Sequence, residues 1–137
     1  MDNPYFQEWQ RQACDQEQRL QEERQALERS PIDWDTLTRL MTFKERYGYV
    51  HKYAWAIPTE AAVRVICKYS PLIEIGGGTG YWAWLLRQAS ADIQCLDTAP
   101  PSIGHHRNPY HPNSRTWVDV LEGDETALDS NPGRTLF

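Results

Sequence analysis

Cysteine is scarce, long apolar runs are missing and positive charge is in deficit, and each shortage narrows what this chain can be. Cys14, Cys67 and Cys95 are spaced for neither a disulfide framework nor a cysteine-based zinc site. Cys67 and Cys95 read as buried reduced thiols, and a reducing, cytoplasmic setting is the expectation. No apolar run approaches the roughly 18 residues of a membrane span. The start, Met1-Asp2-Asn3-Pro4, has neither the basic leader nor the apolar core of a signal peptide, so no membrane partner is expected. Lys and Arg number 14 against 19 Asp and Glu, for a net charge of -5. With no basic cluster to offset that balance, a nucleic-acid surface is not expected either.

What the chain has is aromatic mass. Six Trp, seven Tyr and a 40% apolar content rule out wholesale disorder, and 137 residues suffice for one modest core. Residues 1–58 read as a helical and aromatic segment. Tyr5 to Glu28 contains no glycine or proline, and Tyr5, Phe6, Trp9, Ala13, Leu20 and Leu27 keep roughly to one helical stripe. That stripe suits a solvated helix resting one face on the body, or a partner-binding arm. Ser30-Pro31-Ile32-Asp33 has the form of a helix start, with Leu37, Leu40 and Met41 inward and Gly48 as a stop. Tyr49, His51, Tyr53 and Trp55 then form an aromatic cluster that reads as core, or as a lid or acceptor pocket.

Residues 59–137 change character. Thr59 is placed to cap a helix that buries Ala62, Val63, Ile66 and Cys67. Leu72–Ile75 reads as strand one, with Trp82, Leu85, Leu86 and Ala89 as the inner face of the next helix. Asp92–Leu96 reads as strand two, Trp117–Leu121 as strand three and Gly133–Phe137 as the start of a fourth. Strand and helix in alternation predict an α/β fold with a parallel, partial Rossmann-like sheet.

The chemistry concentrates at one turn. Gly76, Gly78 and Gly80 alternate directly after strand one and open the next helix, so main chain can meet a ligand closely there. Asp97 ends strand two, where an acid in an open parallel sheet can accept both hydroxyls of a ribose. Gly78, Gly80 and Ala83 also satisfy a loose dinucleotide fingerprint, which keeps a nicotinamide-binding oxidoreductase open. Glu74 weighs against it. A carboxylate inside the first strand calls for a cationic or hydrogen-bonding partner and would repel a pyrophosphate, whereas a sulfonium and an ammonium suit it.

Glu74-Ile75-Gly76-Gly77-Gly78-Thr79-Gly80 resembles the first motif of the class I S-adenosylmethionine-dependent methyltransferases, a Rossmann-like family. The resemblance spans about Ser70 to Asp124 and implies S-adenosylmethionine as cofactor. By the same resemblance, Gly76, Gly78 and Gly80 would line its methionine and ribose side, with Glu74 near its amino-acid end. Asp97 would take the ribose and Asp124, in Val120-Leu121-Glu122-Gly123-Asp124, the adenine. The family's sheet has seven strands, of which this sequence supplies the first half. The expectation is therefore a truncated methyltransferase-like binder, completed by a second half, a complementing partner or a homo-oligomer, with catalytic residues unknown. A non-catalytic interaction protein that keeps the turn as scaffold is the competing class. His105, His106 and His111 lie in a proline-flanked loop without the ligand spacing of a metal centre, and read as a solvated rim.

Overall fold

Leu72, Ile73 and Glu74 are all buried, which marks the strand they form as covered on both faces and central to its sheet. The computed structural model describes residues 2–26 and 47–137. Within these, β1 (Leu72–Ile75) pairs in parallel with β2 (Ile93–Asp97) on one side and β4 (Thr135–Leu136) on the other, and β3 (Leu121–Glu122) pairs with β2. The strand order is β3-β2-β1-β4, all parallel, so the fold is α/β with a partial Rossmann-like sheet, as the alternation predicts.

Among the described residues, α-helices precede and connect the strands. α1 (Pro4–Ala26) begins with proline in its first turn, behind Asn3, whose Oδ1 accepts the Phe6 amide at 3.2 Å. Residues 47–52 are helical (α2), and α3 (Glu60–Ile66) starts at Thr59, whose hydroxyl accepts the Ala62 amide. α4 (Tyr81–Gln88) follows the glycine turn and buries Tyr81, Ala83, Leu85 and Leu86.

Several expectations shift. Gly48 lies inside α2 and does not stop it, because the burial of Tyr49, Val50 and Tyr53 around it outweighs a helix-propensity cost of about 1 kcal/mol. The inner face of α4 is led by Tyr81, while Trp82 is half-buried and Ala89 exposed. Strand three is displaced to Leu121–Glu122. Trp117 is held instead by the Thr79 carbonyl, at 2.8 Å from its amide, and by the aromatic cluster. The helix expected from Ser30 to Met41 lies outside the described residues.

The N-terminal and C-terminal segments share a core. Tyr5 of α1 stacks on Tyr53 at 4.8 Å between ring centroids, and Tyr53 and Tyr81 meet edge to face at 5.0 Å. Trp117 stacks on Tyr53 and tilts against Trp84. The Tyr81 hydroxyl accepts the Tyr5 amide at 3.0 Å and donates to Asn3 Oδ1 at 2.8 Å, while the Asn3 amide donates to the Pro58 carbonyl. The Tyr5 amide sits in the first helical turn and has no intrahelical acceptor, so Tyr81 supplies one. Past Trp9, the described side chains of α1 face solvent except for half-buried Ala13, so among the described residues the docking contacts come from the start of this helix.

At the opposite end of the sheet, Arg134 donates to both carboxylate oxygens of Asp92 at 3.0 Å and to the Leu72 carbonyl at 3.1 Å. This bidentate clamp ties the entry of β4 to the starts of β1 and β2. Tyr81→Phe keeps the ring and strands the buried Tyr5 amide, so urea denaturation should show a loss of about 1–3 kcal/mol at unchanged m-value. A change below about 0.5 kcal/mol would mean that water replaces the hydroxyl there.

Candidate functional site at the glycine turn

The turn between β1 and α4 is built from left-handed glycines: Gly76, Gly78 and Gly80 have φ of +75°, +54° and +72°. Side chains rarely adopt this backbone, which explains the alternation seen in the sequence. The Gly77 amide donates to the Leu96 carbonyl at 2.9 Å and the Gly78 amide to Asp97 Oδ2 at 2.9 Å, so the turn is bolted to the end of β2. The Thr79 hydroxyl donates to the Tyr53 carbonyl, which ties the same turn to the residue just past α2.

The three glycines meet different surroundings. A Cβ on Gly80 would lie 2.6 Å from Val118 and 3.1 Å from Val120, so this position serves close packing. A Cβ on Gly76 would meet nothing within 4 Å, and that stretch of backbone is open. A Cβ on Gly78 would lie 2.6 Å from His111 Nε2, because the imidazole is laid directly across the turn.

Glu74 is buried under the turn at 8% exposure, and its Oε2 has no hydrogen-bond partner. Burial pushes its carboxyl up to about 7, against the opposing pull of the Cys95 thiol and the Ala83 amide. Burial and the Glu74 carboxylate in turn push the Cys95 thiol well above the thiolate range, and Cys95 is packed in the core at 1% exposure.

Asp97 is buried at the carboxyl end of β2, where the sequence puts it, and both its oxygens are engaged. Oδ2 accepts the Gly78 amide, and Oδ1 accepts the Ala99 amide at 2.9 Å and the Asn108 side-chain amide at 3.3 Å. Asp124 caps the short 3-10 helix Glu125–Leu128. The Thr126 hydroxyl and amide donate to it and hold its carboxyl below the usual carboxylate range. The preceding Gly123 amide donates to the Asp97 carbonyl at 3.0 Å. The structure thus brings Glu74, Gly76, Gly78, Gly80 and Asp97 together at one end of the sheet. Asp124 lies just past the end of β3, the strand beside β2.

Residues 98–117 hold what the sequence did not reveal. Asn108 donates to Asp97 and to the Ala99 carbonyl, and its Oδ1 accepts the amides of Tyr110 and His111. This buried asparagine shapes the loop that carries His111 onto Gly78. His111 is not part of a solvated rim. It is 5% exposed, its Nδ1 has no hydrogen-bond partner, and burial lowers its affinity for a proton. His105 and His106 do face solvent. Asn108-Pro109, a turn-forming pair, was the available signal for this loop. Among the described residues, no group of three or more His, Cys, Asp or Glu side chains could hold a metal ion, and no helix is long and apolar enough to cross a membrane.

Tested against an adenosyl sulfonium cofactor, the chain's own residues fit in part. Open backbone at Gly76, an unpartnered carboxylate oxygen on Glu74 and the strand-end Asp97 favour it. His111 over Gly78 and Asn108 on Asp97 stand in the way until their loop moves. No protein-family model, curated protein or solved structure matches this chain.

The buried carboxyl makes stability depend on pH in a defined direction. Glu74 has the ordinary value of 4.5 when unfolded and about 7 when folded. Its contribution is therefore complete below about 4.5 and is lost as pH rises through about 7, on the order of 3 kcal/mol in all. Glu74→Gln should melt with the wild type at pH 5 and above it at pH 8. A Tm difference independent of pH would refute the buried acid.

Proposed function

We propose that this chain binds S-adenosylmethionine over its glycine turn and belongs to the class of methyltransferase-like proteins. The observation that carries the reading is Glu74: a buried carboxylate with an unpartnered oxygen, two residues before open glycine backbone. A cationic ligand at that place would offset the desolvation that pushes the acid up to about 7. The resemblance of Glu74 to Gly80 to the first methyltransferase motif supports the same reading. So does the position of the turn, at the strand ends where the order reverses between β1 and β4. Glu74, Gly76 and Gly78 would hold the amino-acid end and Asp97 the ribose, with the Asn108 and His111 loop displaced from them. When bound, the cofactor supplies an electrophilic methyl group. Asp124 near the adenine is the least supported part, since its carboxylate already caps a helix.

Calorimetry of the full chain with S-adenosylmethionine and S-adenosylhomocysteine tests this. Binding should strengthen by about tenfold from pH 6 to pH 8 as Glu74 ionises, and Glu74→Gln should flatten that dependence. His111→Ala should tighten binding by removing a side chain that occupies the turn. Absence of binding to both compounds at millimolar concentration, by folded wild type and by His111→Ala, would sink the reading.

A second reading, a non-catalytic scaffold for a partner, is favoured by the same His111 together with Val118 and Val120, which fill the turn with the chain's own side chains. It also draws on the exposed Leu121 and Leu136, each 56% exposed in the outer strands. The scaffold reading predicts that His111→Ala binds neither compound and that Leu136→Asp weakens self-association or partner capture.

A further inference from the structure

A cavity of about 650 Å³ opens between α2 and residues 112–117, and its wall includes none of the residues assigned above to the cofactor. Its wall includes His51, Lys52, Arg115, Thr116, Trp117 and Gly48. The size falls within the range of small-molecule sites. The walls are fixed before any ligand arrives. Trp117 donates its indole N–H to the Lys52 carbonyl at 2.8 Å and its amide to the Thr79 carbonyl at 2.8 Å. Asn113, at the other end, donates its amide to the His105 carbonyl at 2.8 Å and accepts the Gly104 amide on its side chain.

The charges on this wall are of one sign, though the chain as a whole carries -5. Lys52 is shared with Glu8, 2.9 Å from its ammonium. Among the described residues Arg115 has no ion-pair or hydrogen-bond partner, and the buried Nδ1 of His51 has none either. The cavity therefore presents one unpaired full cation and a shared second one. That balance matches a monoanion better than a doubly charged phosphate. A planar guanidinium also meets a carboxylate with two parallel hydrogen bonds.

We propose that this cavity binds a small organic carboxylate, held by Arg115 with Lys52 and His51 beside it. The inference does not rest on the cofactor reading, since it uses neither Glu74 nor Asp97, and it survives if S-adenosylmethionine fails to bind.

The test is an NMR titration of the full chain with benzoate, with neutral benzamide and with inorganic phosphate, read at the Gly48 amide and the Arg115 side-chain N–H. Benzoate should saturate these signals, with benzamide and phosphate each about tenfold weaker or more. Arg115→Gln should weaken benzoate by a similar factor without moving the melting temperature. Gly48→Phe should abolish binding, since a Cβ there meets nothing within 4 Å and the ring can occupy the cavity. Equal shifts from benzoate and benzamide, tighter binding of phosphate, or an Arg115→Gln variant that binds benzoate normally would each overturn the proposal. The ligand comparison and Arg115→Gln decide the matter even if Gly48→Phe fails to fold.

Discussion

The two oxygens of Asp97 hold together the part of the molecule on which the rest depends. One accepts the Gly78 amide and so fixes the left-handed turn against the end of β2. The other accepts Ala99 and Asn108 and so fixes the loop that returns over the same turn. A buried carboxylate is costly unless it is well hydrogen-bonded, and three donors meet that condition. The turn conformation and, through Asn108, the placement of His111 follow from this junction.

The second organising element is aromatic. Tyr5, Tyr53, Tyr81, Trp84 and Trp117 come from distant parts of the sequence and pack against one another through stacked and edge-to-face contacts. Two of their polar handles meet backbone groups: the Tyr81 hydroxyl accepts the Tyr5 amide and the Trp117 indole donates to the Lys52 carbonyl, while the Tyr53 hydroxyl donates to the Glu8 carboxylate. The start of α1 is thereby part of the same core as the sheet. A four-stranded sheet with two-residue outer strands gains a second layer from this packing.

The sequence was most legible where local pattern and burial agree. The β1 boundaries, the Thr59 cap, the glycine turn and the strand-end Asp97 all follow from short-range rules, and the structure has them there. The errors arise where tertiary contacts override local preference. Gly48 stays helical because Tyr49, Val50 and Tyr53, which follow it, are buried. Trp117 leaves the strand because its ring and amide find better partners at Tyr53 and Thr79. His111 could not be told from His105 and His106 by sequence, because only the Asn108 hydrogen bonds decide which histidine turns inward. The cavity beside α2 was equally hidden, since its wall joins residues 48–52 to 112–117 only through the folded backbone.

The imidazole lying across Gly78 makes the protein its own competitor. A molecule that took up that backbone would have to displace the loop, and its apparent affinity would fall in proportion to how seldom the loop stands open. Strength of binding at this turn would then be set less by the glycines than by how firmly one asparagine grips Asp97. Evolution or design could tune occupancy there by editing a residue that never touches the guest.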